Sequence, residues 1–366
     1  MPGTAELFIG LMSGTSLDGV DAALVDLAPA IPRICTTAYL PYPEHLRAEA
    51  LALHAPLPDE LHRAALFSQR LAHLYAEAVH HILAQSGIAA ADIRAIGCHG
   101  QTVRHRPDQG YSLQLNQPAL LAELTGICVV ADFRSRDIAA GGQGAPLVPA
   151  FHAGAFAHPH QHRVILNLGG IANLTDLAPD HLPCGFDCGP GNMLLDAWIQ
   201  QQRGLPYDTQ GAWAAQGQVL PELLDRLYTH PFFSAAPPKS CGREEFHLAW
   251  LTSHLSGHEA AEDVQATLLM LTCRAICDAL AQECHDATEL YLCGGGAHNT
   301  TLRDTLARLL PHIHIMTTDA LGIPADWVEA VAFAWLAWRT LQGQPGNLPE
   351  VTGALGPRLL GAIYPA

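Results

Sequence analysis

Hydrophobic and polar positions along the chain first alternate in short blocks and later gather into longer apolar runs. Residues 8–12 and 20–27 are apolar flanks of strand length around a small, polar centre, Ser13-Gly14-Thr15-Ser16-Leu17-Asp18-Gly19. Residues 34–39 predict a third strand, ended by Pro41 and Pro43. Leu61, Ala65, Leu66, Leu71, Leu74, Ala78 and Ile82 recur at helical spacing and predict a helix over 59–86, with Asp59 capping its start and Gly87 its end. Strands are expected at 93–98, 111–115 and 128–131, a helix at 118–125 stopped by Gly126, and a glycine-dense loop at 137–146. The opening pattern then returns: apolar blocks at 164–168 and 171–176 flank Gly169-Gly170. Helices are expected at 193–202, 264–284, 301–310 and 327–341, and strands at 289–293 and 312–316. Residues 204–247 read as irregular, and a Gly/Pro-rich tail begins at Gly343.

Two strand–glycine turn–strand patterns about half a chain apart predict an internally duplicated fold. Strands alternating with helices predict an α/β architecture of two domains with a cleft between them. The expected borders are residues 1–127 and 128–344, with the tail 345–366 packing back on the first domain.

A length of 366 residues fits two cores, and 49% apolar against 15% charged residues argues against disorder. The formal net charge of −16 argues against a nucleic-acid or anionic-membrane partner, while a few local Arg or Lys residues leave anionic substrates open. The sequence starts without a basic segment followed by a long apolar run and holds no run of roughly 18 apolar residues. A cytoplasmic protein with no signal peptide and no membrane span is therefore expected. Ten Cys residues lie scattered without a Cys-x-x-Cys pair, which suits reduced core thiols. Cys273, Cys277 and Cys284 share a helix face and suit core packing or a metal, and His158, His160 and His162 suit a solvated loop or a metal.

The first glycine turn has the chemistry of an anion site. Small residues let backbone N–H groups approach an anion, Ser13, Thr15 and Ser16 add hydroxyls, and Asp18 and Asp21 add carboxylates. An anion beside fixed carboxylates suggests a phosphate with Mg²⁺ between them. The turn is neither a Gly-x-x-x-x-Gly-Lys-Ser/Thr loop nor a Gly-x-Gly-x-x-Gly turn. Asp187 stands just before an expected helix, where it serves as an N-cap or as a base, and that helix start is a natural anion site. Arg134 sits at the mouth of the glycine-dense loop, facing either a ligand or a salt bridge to Asp132 or Asp137. Glu329 interrupts the apolar face of its helix, a costly position for an unpaired carboxylate.

Five motifs then add up: Gly14-Thr15-Ser16-Leu17-Asp18-Gly19-Val20-Asp21, His99-Gly100-Gln101-Thr102, Asn167-Leu168-Gly169-Gly170-Ile171-Ala172-Asn173, Phe186-Asp187-Cys188-Gly189-Pro190-Gly191-Asn192 and Cys293-Gly294-Gly295-Gly296-Ala297-His298-Asn299. In order and spacing, from residue 9 to about residue 335, the set closely resembles the anhydro-N-acetylmuramic acid kinase family. The resemblance implies two actin/hexokinase-like (ribonuclease H-like) domains closing on ATP. It also implies a reaction in which ATP and water convert 1,6-anhydro-N-acetylmuramic acid to N-acetylmuramic acid 6-phosphate during cell-wall recycling. It further implies catalytic Asp187 and Glu329, sugar contacts from Gln101, Thr102 and Arg134, and His99 as a ligand or a residue that fixes its loop. Residues 14–21 with Asn167, Gly169 and Gly170 would grip the phosphates of ATP, Asp18 and Asp21 would serve Mg²⁺, and Gly294, Gly295, Gly296 and Asn299 would form the adenosine pocket. A homodimer is also implied. Two positions depart from the family pattern: Cys188 follows the catalytic Asp, and Cys241 stands in Lys239-Ser240-Cys241-Gly242-Arg243, each where the family has Thr. Activity with a shifted affinity is expected, since Cys is close to Thr in size but loses a hydroxyl donor.

Overall fold

The computed structural model describes residues 5–14, 16–237, 239–242 and 244–366; Thr15 of the first turn and Arg243 lie outside them. The strands among the described residues are β1 (Leu7–Met12), β2 (Gly19–Asp26), β3 (Arg33–Pro41), β4 (Ala95–Cys98), β5 (Gln101–Arg106), β6 (Tyr111–Leu115), β7 (Val129–Ala131), β8 (Arg163–Leu168), β9 (Ile171–Leu177), β10 (Cys184–Pro190), β11 (Glu289–Cys293), β12 (His314–Thr317) and β13 (Ala362–Tyr364). The chain forms two compact units, Met1–Ala155 with Trp327–Ala366, and Phe156–Asp326.

In the first unit the sheet order is β13-β7-β4-β1-β2-β3. Strands β1, β2 and β3 form an antiparallel meander, β4 and β7 extend it in parallel, and β13 adds antiparallel to β7. In the second unit the order is β10-β9-β8-β11-β12, again an antiparallel meander followed by two parallel strands. Counted along each unit's own strands, both sheets run third, second, first, fourth, fifth, which is the ribonuclease H-like order. The duplication read from the two glycine turns is thus a duplication of topology.

The first sheet is covered on both faces, and the two faces are built differently. One carries Ile9, Leu11, Val20, Ala22 and Leu24 against the helix Glu60–Ser86, which presents Phe67, Leu71, Tyr75, Ala78 and Ile82. The other face has no side chain at two central positions. A Cβ on Gly10 would lie 1.7 Å from the Ala330 carbonyl oxygen, and one on Gly97 would lie 1.9 Å from that of Phe333. The helix Val328–Leu341 therefore rests directly on the backbone of β1 and β4, an approach only glycine permits.

That helix explains where the expected border moves. It covers the first sheet, and β7 hydrogen-bonds within that sheet, so residues 128–155 and 327–344 belong with the first unit, not with a second domain running 128–344. The tail also returns to the first unit, through β13 on β7 and through Thr340 Oγ1, which donates to the Leu360 carbonyl at 2.6 Å.

Other local differences have physical causes. Asp59 takes a left-handed φ of 57° and makes no capping hydrogen bond, and Leu61 is 89% exposed, so the apolar face starts near Phe67. Gln101–Arg106 forms a strand where none was expected, paired among the described residues with β6 alone. Helices Glu44–Ala52 and Val148–Phe156 were not anticipated, and the irregular stretch holds the helices Pro221–Tyr228 and Pro231–Ser234. Helix Ala261–Glu283 is apolar and long enough to span a membrane, yet 72% of its apolar window is buried as the core of the second unit. Cys273 and Cys284 are buried in that core.

Candidate active site

The candidate residues of the first unit surround the turn between β1 and β2. Ser13 is 1% exposed, and its hydroxyl serves the scaffold. Ser13 Oγ donates to the Gly100 carbonyl (3.1 Å), which leaves Tyr75 as the donor in the 2.5 Å contact between the two hydroxyls. Ser13 is thus not the anion donor expected of it. Ser16 Oγ donates to Asp18 Oδ1 (2.6 Å), as does the Gly19 N–H (3.0 Å). Leu17 closes the turn at φ 57°, with its N–H on the Gly14 carbonyl (3.3 Å). Asp18 and Asp21 both bear on the Tyr39 phenol, which burial first and then these two carboxylates push up to about 12. Val20, between them on β2, points into the core at 0% exposure.

Gln101 is also 0% exposed. Its amide donates to the Gly14 carbonyl (3.2 Å) and the Thr102 carbonyl (3.4 Å) and accepts from the Tyr42 hydroxyl (2.9 Å). This amide braces the Gly14 turn. Thr102 accepts from Gln114 Nε2 at 3.1 Å.

His99 joins the same turn to Arg134. Arg134 Nη2 donates to His99 Nε2 (2.8 Å), and a guanidinium can only donate. The histidine proton therefore sits on Nδ1, facing the Ser13 carbonyl at 3.2 Å. Burial, and then the Arg134 charge, push His99 down to about 3, so the ring is neutral. It packs on Phe333 with centroids 4.7 Å apart.

Arg134 Nη1 donates to the Gly144 carbonyl (2.7 Å), while its buried Nε has no hydrogen-bond partner among the described residues. Burial pushes Arg134 down to about 10, against the charges of Glu329 and Asp137, and it stays protonated at neutral pH. No ion pair forms to Asp132 or Asp137. Asp132 accepts from Ser135 Oγ, and Asp137 accepts from Gly144, Asn347 and Thr352. Glu329 is held above the usual carboxylate range by burial; Arg134 pulls it down and Asp18 pushes it up. A charged fork whose bonds go to neutral acceptors, with one N–H unpaired among the described residues, can take an anion or a polar sugar.

In the second unit the β8–β9 turn is Gly169-Gly170. The Gly169 carbonyl accepts from the Asn192 N–H (2.9 Å), and the Gly170 carbonyl from the Gly191 (2.9 Å) and Met193 (3.1 Å) N–H groups. The Gly191, Asn192 and Met193 N–H groups at the start of helix Met193–Arg203 therefore bond that turn. Asn192 Nδ2 adds a bond to the Leu168 carbonyl at 3.0 Å.

The triple glycine packs on the same hairpin. A Cβ on Gly294, at φ 77°, would lie 2.5 Å from Asn167 Oδ1, and one on Gly296 would lie 2.6 Å from Leu168 Cβ. Gly295 is exposed, and a Cβ there would meet nothing within 4 Å. Asn299 Oδ1 accepts from the Leu302 N–H (3.0 Å) and caps helix Thr300–Leu309.

Asp187 lies on β10 at a bulge, where pairing with β9 shifts between Asp187 and Gly189. Its Oδ2 accepts from the Cys241 N–H at 3.0 Å, and its own N–H donates to the Lys239 carbonyl at 3.1 Å. It does not act as an N-cap, because β10 continues to Pro190. Burial pushes Asp187 up to about 6; the Cys241 N–H opposes this and the Glu245 carboxylate adds to it. Burial also raises the Cys188 and Cys241 thiols far above their ordinary value, so both stay protonated beside it.

A family model for anhydro-N-acetylmuramic acid kinase matches residues 6–366. The anhydro-N-acetylmuramic acid kinase of Thiobacillus denitrificans is 58% identical over 366 residues, covering 99% of this chain and 98% of that protein. The chain belongs to the anhydro-N-acetylmuramic acid kinase family. The same enzyme of Nitrosospira multiformis is 57% identical over 364 residues, covering 99% of this chain and 100% of that protein. Among solved structures, component A of the Acidaminococcus fermentans (R)-2-hydroxyglutaryl-CoA dehydratase aligns at a TM-score of 0.48 and 13% identity, covering 90% of this chain and 96% of that one. For a member of the anhydro-N-acetylmuramic acid kinase family, the five motifs divide between the two units. The first holds the Gly14 turn, Gln101, Arg134 and Glu329; the second holds Asn167–Gly170, Asp187 and the triple glycine. Glu245, which acts on Asp187, lies next to the Lys239–Arg243 pattern, and only that adjacency would have pointed to it.

Proposed function

We propose that this chain is an ATP-dependent kinase that opens the 1,6-anhydro ring of 1,6-anhydro-N-acetylmuramic acid and phosphorylates O6, releasing N-acetylmuramic acid 6-phosphate and ADP in peptidoglycan recycling. The observation that carries the reading is the Asp187 carboxylate, pushed up to about 6 and hydrogen-bonded among the described residues through one oxygen only. A base near neutrality matches its task. Water attacks C1, Asp187 takes its proton, the bond between C1 and the bridging oxygen breaks, and that oxygen accepts the γ-phosphoryl group as ADP leaves. Because the phosphoryl group captures the leaving oxygen, no separate acid is required, unlike in a glycosidase. Phosphoryl transfer then depends on positioning and charge neutralisation.

Arg134 would bind the lactyl carboxylate or sugar hydroxyls through its remaining donors, with Thr102 and Glu329 beside it. Gly14, Ser16, Leu17, Gly19, Gly169 and Gly170 would supply phosphate contacts, and the exposed Gly295 would let adenosine approach the backbone. Asp18 and Asp21 offer only carboxylate oxygens, which suits Mg²⁺ shared with ATP phosphates; the ion would neutralise phosphate charge. The net charge of −16 supports a small-molecule partner over nucleic acid or membrane, and the need for ATP supports a cytoplasmic location. A homodimer rests on the family resemblance. The test is ADP release with 1,6-anhydro-N-acetylmuramic acid against glucose, N-acetylglucosamine and no sugar. ATP hydrolysis without sugar phosphorylation would overturn the reading.

A further inference from the structure

Asp137 is a carboxylate at 0% exposure, and no Lys, Arg or His forms an ion pair with it among the described residues. It is satisfied by three neutral donors: the Gly144 N–H on Oδ2 (2.8 Å), and Asn347 Nδ2 (2.6 Å) and Thr352 Oγ1 (2.8 Å) on Oδ1. The glycine-dense loop wraps around this group. A Cβ on Gly142 would lie 2.2 Å from Asp137 Oδ2, and Gly144 sits at φ 67°. The Gly144 carbonyl is in turn the acceptor for Arg134 Nη1 at 2.7 Å. From the other side, the tail grips the loop by main-chain bonds: Gln143 N–H to the Thr352 carbonyl (2.7 Å), and Leu355 N–H to the Ala140 carbonyl (2.8 Å).

We infer that Asp137 is the positioning residue for the Arg134 guanidinium, and that Asn347 and Thr352 make the C-terminal tail a working part of the sugar site. The inference rests on the reading of Arg134 as a sugar-binding residue. All three partners of Asp137 donate, so both oxygens must accept. Asparagine would turn an NH₂ either onto the Gly144 N–H or onto Asn347 and Thr352. The anion one residue beyond the Gly144 bond also supports the guanidinium charge, since Asp137 raises the affinity of Arg134 for its proton. A buried carboxylate thus satisfies three donors that a neutral side chain cannot, and through Gly144 it holds one carbonyl against Arg134.

The test uses the full chain as Asp137→Asn, Thr352→Val and Thr352→Ser. Steady-state KM is measured separately for sugar and for ATP, sugar binding by calorimetry and folding by thermal melting. Asp137→Asn and Thr352→Val should raise sugar KM and weaken calorimetric sugar binding by roughly tenfold or more, with ATP KM within about twofold of wild type. Thr352→Ser, which keeps the hydroxyl, should restore both. Unchanged sugar KM in Asp137→Asn and Thr352→Val, with the wild type active, overturns this inference alone. ATP KM rising in step with sugar KM overturns it too, because general loss of structure would then explain the effect. A wild-type protein that neither binds nor phosphorylates the sugar overturns the functional reading and this inference together.

Discussion

Asp187→Asn should inactivate the enzyme and stabilise it in one stroke, by amounts the structure sets. Burial is the main cause of the raised ionisation of Asp187, to about 6, roughly two decades above a free aspartate. At about 1.4 kcal/mol per decade, holding the anion in the fold costs on the order of 3 kcal/mol at high pH. The raised folded-state value means that stability from the protonated form is present at low pH and is lost as pH rises through about 6. Asparagine has no charge to desolvate and keeps an oxygen for the Cys241 N–H. The variant should therefore gain about 1–3 kcal/mol at pH 8, the range reflecting the desolvation of an amide, and about half as much at pH 5. For a unit of this size that is a rise in Tm of several degrees, at roughly 2–4 °C per kcal/mol. Turnover should fall by at least about 10²–10⁴-fold. Calorimetric melting of both proteins at the two pH values, with single-turnover kinetics, reads both effects. A variant no more stable than wild type at pH 8, or one that keeps appreciable turnover, removes Asp187 as a buried base.

Four further outcomes are expected. In wild type, kcat/KM should rise with pH through about 6, because Asp187 acts as the anion; an acid limb near pH 4 would contradict the burial argument. Arg134→Lys should raise sugar KM by roughly 10–100-fold at constant ATP KM, since an ammonium cannot replace a planar fork holding both Gly144 and His99; an equal rise in both constants refutes the assignment. Gly295→Ala should leave Tm unchanged and raise ATP KM, because the added Cβ enters open space where the nucleotide is proposed to lie; wild-type ATP binding would end that role. Gly97→Ala should destabilise the first unit by about 3 kcal/mol or more, seen as a lowered Tm or insoluble protein, because its Cβ would strike the Phe333 carbonyl oxygen at 1.9 Å; normal stability would mean that the helix yields.

Elements governed by local pattern were readable in the sequence. The β1–β3 meander and the β8–β9 hairpin were, because short apolar runs around glycine turns leave few alternatives; β10 (Cys184–Pro190) was not, because Cys-Gly-Phe-Asp-Cys-Gly-Pro carries no apolar run. The strand Gln101–Arg106 was not, because Gln-Thr-Val-Arg-His-Arg carries no apolar alternation and pairs outside the main sheets. The border after Ala155 depends on helix Val328–Leu341 lying on β1 and β4, a contact between segments more than 200 residues apart. Its local trace is two glycines inside strands, Gly10 and Gly97. The tail shows the same limit: its Gly and Pro residues mark turns, while its attachment through Asn347 and Thr352 to Asp137 leaves no local signal.

Within the candidate site, motif letters do two kinds of work, and hydrogen-bond capacity separates them. Gln101 has both N–H groups and its carbonyl engaged, Ser13 has its only proton on Gly100, and Asn299 has its oxygen on the Leu302 N–H. His99 has both ring nitrogens occupied. A group already satisfied must break a bond to meet a ligand, so these residues fit bracing better than contact. Arg134 and Asp187 are the reverse: each is half-buried, each is fixed by bonds on one side, and among the described residues the Arg134 Nε and the second Asp187 oxygen have no hydrogen-bond partner. An unpaired polar group shielded from water is costly, and a ligand supplying the missing partner recovers the cost. By hydrogen-bond capacity the candidates for ligand contact are fewer than the motif residues, and the braces account for others: Gln101 fixes the Gly14 turn, and His99 ties that turn to Arg134.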